Sequence, residues 1–314
     1  MLKFMRKLPG GTLLVPMLIA ALINTFAPNL FKIGGLTEAL FTPKGTNYVV
    51  GLVCFCSATT IDVKKIGFVL KKQGIILLFK IILCFMFGFG YISVFGQEGV
   101  LGISFIAFIA TICSVNPSLY LALISDYGDE DDKLAFGLIA LLCVPAFPML
   151  VYSITNGGSV DWTPIVSTFI PILIGVILGN LDKDMAILFR PGMALLTPFM
   201  GWAFGSSINL IQAVQSGFAG IVITLFFYIT MLPTIYIVET RILKMSGMST
   251  LGISSIAGLS VAVPMMIASN SPELFDIATE ATAQIAFGVV LTSVITPILA
   301  KWLADQKGIV KNID

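Results

Sequence analysis

The chain predicts an all-α membrane protein: ten transmembrane helices in two inverted five-helix repeats, residues 1–158 and 159–314, with helices four and nine broken. Three observations predict it. Of its 314 residues 57% are apolar and only 11% charged, where a soluble protein carries about 25% charged residues. The apolar residues gather into ten runs of near-spanning length. Fragments from four of the first five runs recur, in order, in the last five.

The scarcity of charge excludes a soluble particle. The 18 basic and 17 acidic side chains cannot hydrate the exterior of a 33.7 kDa protein without leaving large apolar patches. Mean hydropathy is +0.99. A net charge of +1 points to no polyanion, so no nucleic-acid partner is expected. Histidine is absent, which removes the commonest general base and the switch that titrates near neutrality. The five cysteines, Cys54, Cys56, Cys84, Cys113 and Cys143, all lie in apolar runs and read as small hydrophobes.

The ten runs are Thr12 to Ala27, Asn47 to Ile61, Gly74 to Phe95, Val100 to Ser125 and Leu134 to Thr155, then Pro164 to Leu181, Gly192 to Leu210, Gly217 to Val238, Thr250 to Ala268 and Ala281 to Leu303. A crossing helix needs about 20 apolar residues, so the second run is short and suits a tilted or partly re-entrant segment. Continuous apolarity excludes the alternating strands of a barrel. Lys3, Arg6 and Lys7 precede the first run as in a secretory leader, but no small-x-small cleavage site follows, so the run reads as retained.

Charge orients the set. With the N-terminus in the cytoplasm, Lys3, Arg6, Lys7, Lys64, Lys65, Lys71, Lys72, Lys133, Lys183, Arg190, Arg241, Lys244, Lys301, Lys307 and Lys311 fall on the cytoplasmic side, and only Lys32 and Lys44 fall outside. Both termini are then cytoplasmic. The acidic stretch Asp126 to Asp132 reads as a solvated cytoplasmic loop.

The repeat supplies the architecture. Ile61-Asp62 precedes Ile208-Asn209 by 147 residues, and the same offset carries Asn116-Pro117-Ser118 onto Val263-Pro264-Met265 and Ile109-Ala110 onto Ile256-Ala257. Pro16-Met17-Leu18-Ile19-Ala20 answers Pro171-Ile172-Leu173-Ile174-Gly175, and Ala135-Phe136-Gly137 answers Ala286-Phe287-Gly288. A unit of five spans is odd, so the second copy inserts upside down, as in many secondary transporters.

The same comparison locates candidate chemistry. Pro117 and Pro264 interrupt spans four and nine, because proline lacks the N–H and clashes with the preceding turn. Breaks free carbonyls for a cation and offer helix N-termini to an anion. Ser114, Asn116 and Ser118 surround the first break and Ser260 lies beside the second. Na+ at Asn116 and Ser114 is one reading. The polar ends of spans two and seven add Thr59, Thr60, Ser206, Ser207 and Asn209, whose hydroxyls and amide suit a polyhydroxylated ligand. Lys80 is the basic residue well inside a span, placed to neutralise a carboxylate or to occupy a cation position.

No Asp or Glu falls mid-span; Asp62, Glu239, Glu273, Asp276 and Glu280 lie near span ends. That composition leans toward a metal cation held by carbonyls and hydroxyls. Neither a P-loop nor a complete dinucleotide fingerprint is present, since Gly88-Phe89-Gly90 is followed by Ser93 in the third glycine position. No enzyme and no cofactor are expected. A channel would show rings of charge or a filter sequence, and the spans carry neither.

Several motifs carry a resemblance. Lys7-Leu8-Pro9-Gly10-Gly11, Leu14-Val15-Pro16, Asn24-Thr25-Phe26, Leu178-Gly179-Asn180-Leu181-Asp182 and the run from Leu119-Tyr120 to Asp126-Tyr127-Gly128 resemble the bacterial 2-keto-3-deoxygluconate permease family, over essentially the whole chain. The resemblance implies a symporter that takes up this sugar acid with protons across the bacterial inner membrane by alternating access. Distantly it is similar to the bile-acid sodium symporters, which implies that helices four and nine cross. The coupling ion stays open at this point, between the proton the family implies and the sodium ion the composition favours. The competing readings are a sodium-coupled symporter of another small organic anion, and a channel.

Overall fold

The computed structural model describes residues 2–5, 11–71, 73–128, 132, 139, 142–157, 162–215, 217–268 and 271–309. Arg6, Lys7, Lys72, Lys133, Lys311, residues 129–131 of the acidic stretch, the fragment at 134–137 and residues 269–270 lie outside them.

The principal helices are α1 (Gly11–Phe26), α2 (Thr46–Thr59), α3 (Gln73–Phe95), α4 (Phe105–Ile112), α5 (Pro117–Tyr127) and α6 (Ala146–Thr155). They continue as α7 (Trp162–Leu181), α8 (Gly192–Gly205), α9 (Gly217–Ile237), α10 (Met248–Ile253), α11 (Val263–Ala268) and α12 (Phe275–Lys307). No strand occurs among the described residues. Three helical stretches there are long and apolar enough to cross a membrane alone: Gln73–Phe95, Gly217–Ile242 and Phe275–Lys307. Val15–Phe26, Ala146–Thr155, Phe169–Leu181, Ala194–Ala203 and Leu259–Ala268 are shorter apolar helices.

The packing suits lipid. On α3, Leu78, Ile82, Met86 and Phe89 are exposed while Ile76, Leu77, Lys80, Leu83 and Cys84 are buried. A helix that turns its large apolar side chains outward is stable where the surroundings are hydrocarbon, since water would penalise each of them.

Glycine sets the helix pairs. A Cβ at Gly175 or Gly179 of α7 would meet Phe55 O at 2.5 Å or Thr59 O at 2.0 Å on α2. A Cβ at Gly201 or Gly205 of α8 would meet Leu13 O at 2.1 Å or Met17 O at 2.0 Å on α1. Both pairs use small residues four apart to bring backbones together, the usual device where no hydrophobic effect drives association. Each pair is closed by an asparagine. Asn180 Nδ2 donates to Ile61 O at 2.8 Å, and Asn24 Nδ2 donates to Ile208 O at 3.1 Å.

The apolar runs that hold Pro117 and Pro264 are interrupted. α4 ends at Ile112 and α5 begins at Pro117, where Asn116 caps the new helix by accepting from Leu119 N at 3.1 Å. α10 ends at Ile253, a 3-10 turn covers Gly258–Val261, and α11 begins at Val263. Both prolines therefore open the second half of their span, where the missing N–H costs nothing. α10 packs along α5, and α11 along α4.

Candidate functional site

The two breaks are bonded to each other. Ser114 Oγ accepts from Ala257 N at 2.6 Å and from Ser260 Oγ at 2.7 Å, with all three residues buried. The remaining backbone of the second break leans on α12. Thr292 Oγ1 accepts from Ile256 N at 3.1 Å and Thr296 Oγ1 donates to Ser254 O at 3.1 Å. The buried irregular backbone is thus satisfied by hydroxyls.

Beside the second break opens a cavity of about 1230 Å³. Its floor is formed by Val261 and Ala262 next to the break, Cys54 and Val50 of α2, Met149 of α6 and Thr282 of α12. Its rim holds Pro28, Lys32, Pro43 and Asn47, all exposed. Between them the polar lining consists of Asn24, Thr25, Thr46, Thr163, Ser167, Ser206, Ser207, Asn209 and Thr279. Lys32 is the one charged side chain lining it among the described residues. Nearby at the rim Lys44 pairs with Glu38 at 2.7 Å, and that hydrogen bond holds the Glu38 carboxyl below its ordinary range.

The expected site residues divide. Ser206, Ser207 and Asn209 line the cavity. Ser114 and Ser260 lie behind its floor, joining the breaks. Asn116 is a helix cap and does not line it, and Ser118 sits in the first turn of α5, with only its backbone described. Thr59 and Thr60 lie at the opposite end of the helix pairs and turn their hydroxyls back to Cys56 O at 2.8 Å and Ser57 O at 2.7 Å. Lys80 is fully buried away from the cavity, with Nζ 5.2 Å from the centre of the Phe227 ring. No group of three or more Cys, Asp or Glu able to hold a metal occurs among the described residues.

The acidic stretch differs from its reading as a solvated loop at one position. Asp132 is 1% exposed, and its Oδ1 accepts from Gln73 Nε2 at 2.6 Å and Ser249 Oγ at 2.8 Å. Glu239, within the π-turn Val238–Ile242, is also buried. Its carboxylate accepts from Gly247 N at 2.9 Å, Ser249 N at 3.2 Å, Thr250 N at 2.6 Å and Thr250 Oγ1 at 2.5 Å. Glu239 is therefore the cap of α10, at the end of the broken helix remote from the cavity. Proximity of both acids to one serine is a tertiary fact, and nothing in their local sequence announces it.

Asn24, Thr25, Lys32, Thr163, Ser167, Thr279 and Thr282 were not singled out as site residues. Thr163, Ser167 and Pro171 recur every four residues along α7, a helical stripe that could have marked one wall. Asn24 and Asn180 occupy equivalent last turns, which the repeat could have paired.

Lipid-facing apolar helices, two interrupted helices bonded at their breaks and a large polar-lined cavity define a membrane transport protein. A family model described as 2-keto-3-deoxygluconate permease (KdgT) matches residues 2–309. Relatives carry the same description. The chain is 35% identical to 2-keto-3-deoxygluconate permease 1 of Salmonella typhimurium over 306 residues, covering 97% of this chain and 96% of the relative. It is 33% identical to the Bacillus subtilis permease, covering 96% and 92%, and 36% identical to that of Pectobacterium carotovorum subsp. carotovorum (strain PC1), covering 94% and 95%. The chain belongs to the 2-keto-3-deoxygluconate permease family, whose members are transporters and not enzymes.

Proposed function

We propose that this protein imports 2-keto-3-deoxygluconate together with protons across the bacterial inner membrane by alternating access. The observation that carries the reading is the cavity: a wall of hydroxyls and amides with one cation, Lys32, in a chain of this family. Hydroxyl and amide groups both donate and accept, which matches a polyhydroxylated ligand. One ammonium matches one carboxylate.

The architecture belongs to the same proposal: ten spans in two inverted repeats, residues 1–158 and 159–314, with both termini cytoplasmic. The reciprocal packing supports it. α1 lies on α8 as α7 lies on α2, and Asn24 meets Ile208 as Asn180 meets Ile61, the two isoleucines being the pair spaced by 147 residues in the sequence. Under this orientation Lys32 and Lys44 are external, so the cavity faces outward, while Asp132, Glu239 and Ser249 close the cytoplasmic side. In the alternate state Thr59, Thr60 and Ser57 take the place that Ser206, Ser207 and Asn209 hold in this one.

The test is transport by the purified protein in proteoliposomes. Labelled 2-keto-3-deoxygluconate should show counterflow, and should accumulate under a proton gradient without sodium. Absence of trans-stimulation would sink the carrier reading in favour of a channel. Accumulation under a sodium gradient alone would replace the proton with sodium.

A further inference from the structure

Lys80 is a basic group that the substrate cavity does not use. It lies two turns inside α3 and is fully buried, and its Nζ has no hydrogen-bond partner among the described residues. With Cys84 and Gly88 it forms the face of α3 laid against the first broken helix: Cys84 Sγ donates to Ile112 O at 3.4 Å, and a Cβ at Gly88 would meet Ile109 Cδ1 at 2.9 Å. The titratable groups that face it are Cys84 on its own helix and Cys113 at the first break. No Asp or Glu occurs in Val63–Leu70, Phe105–Ile112, Ala146–Thr155 or Gly217–Ile237, the helices packed against α3, and the charged groups they carry are Lys64 and Lys65 on the first of them. The Phe227 ring face, 5.2 Å away, is the polarisable surface nearest the amine.

A membrane protein does not retain such a group for packing economy. A leucine would fill the space, whereas an ammonium there forfeits the hydrogen bonds that its three donors make in water. Placing a proton on Nζ therefore demands that the surroundings rearrange to supply acceptors. The segment that would move is the first break, because Cys113 faces Lys80 and the next residue, Ser114, holds Ala257 and Ser260 beside the cavity floor. Lys80 is thus linked to the substrate cavity through Cys113, the chain step to Ser114, its hydrogen bond with Ser260 and the chain step to Val261.

We propose that Lys80 carries the coupling proton: the Nζ lone pair accepts one proton to give an ammonium and returns that proton as the neutral amine, with no other bond made or broken. This deepens the proton-symport reading and rests on it. Gain and loss of the proton would switch the packing at Cys113 and Ser114, and through Ser260 the floor of the cavity. No sodium ion is needed, since the lysine supplies the movable positive charge itself.

The experiment compares wild type with Lys80→Met and Lys80→Arg in proteoliposomes, reading labelled 2-keto-3-deoxygluconate counterflow, accumulation under an imposed pH gradient, and alkalinisation of the medium on substrate addition. Methionine cannot take a proton, and arginine keeps its proton at all accessible pH. Counterflow that survives in at least one variant, with loss of both accumulation and alkalinisation, is the expected result. Wild type driven by the pH gradient, with both variants still driven, overturns the Lys80 proposal alone. Wild type driven only by sodium overturns the proton reading and this proposal together. Loss of counterflow in both variants also overturns it, making Lys80 a packing or substrate-binding residue.

Discussion

Ser260 donates a hydrogen bond to Ser114 Oγ at 2.7 Å, joining residues 146 positions apart in the chain. Each lies at the interruption of a broken helix, so this contact joins the two breaks. Ser114 also accepts from Ala257 N, and one hydroxyl therefore serves the backbone and the side chain of the opposite break.

Ser114→Ala should leave the Ala257 N–H without its acceptor, at a cost of about 1–3 kcal/mol. The variant is expected to lose most uptake and to melt several degrees lower in detergent. Uptake by Ser114→Ala at the wild-type rate would show that the joined breaks are not part of the transport cycle.

Lys32 faces the cavity from an exposed rim. Replacing it with Gln should raise KM for the sugar-acid anion about tenfold, or ~1.4 kcal/mol. High salt should narrow the difference, because an exposed charge is screened. Competition by a neutral polyol should be unaffected. Equal weakening of charged and neutral ligands would assign Lys32 to packing.

Gly179 and Gly205 should tolerate no side chain. A Cβ at either would lie 2.0 Å from a backbone carbonyl oxygen of the facing helix. Alanine at either position should cost about 1–3 kcal/mol through forced separation of the pair. Gly90→Ala, with nothing within 4 Å of the added carbon, is the control and should be neutral or mildly stabilising. Thermal melting in detergent measures all three.

Glu239→Ala removes the acceptor for Gly247 N, Ser249 N and both donors of Thr250. The loss should be about 3 kcal/mol or more, since several buried donors go unpaired together. Hydrogen exchange should reveal it as faster opening confined to Met248–Ile253 and its neighbours. Unaltered protection there would show that α10 needs no cap.

Cysteine scanning tests alternating access directly. In a Cys54→Ser background, Ser207→Cys should react with an impermeant thiol reagent from outside, since Ser207 lines the cavity that the proposed orientation opens outward. Thr60→Cys should react only from the cytoplasmic side, and only while substrate is being turned over. Labelling of Thr60→Cys from outside would contradict the two-sided arrangement.

Much of the fold was legible because lipid imposes simple rules. Charged side chains are too few to hydrate an exterior, so composition alone marked a membrane protein, and the shared offset of 147 residues marked Pro117 and Pro264 as the interruptions, whereas Pro16, Pro171, Pro198, Pro233 and Pro297 lie inside continuous helices. The cavity was legible only in part. Ser206, Ser207 and Asn209 advertised themselves as a polar cluster ending an apolar run, whereas Asn24, Thr163 and Thr279 are single polar residues whose convergence depends on helix packing. Asp132 belongs to an acidic stretch that local composition reads as solvated; its burial depends on Gln73 and Ser249, which lie 59 and 117 residues away.

By itself, then, the sequence determined the class, the apolar segments, the two interruptions and the family, all of which depend on residues read locally or at one repeated offset. Tertiary structure decided which polar residues share a space. It put Lys32 on the cavity and Lys80 away from it, made Asn116 a cap, and joined the breaks through Ser114. The physical reason is that helix propensity and hydropathy act along the chain, while the face a helix buries is chosen by its partners. Gly179 against Thr59 and Gly205 against Met17 make that choice by letting two backbones touch.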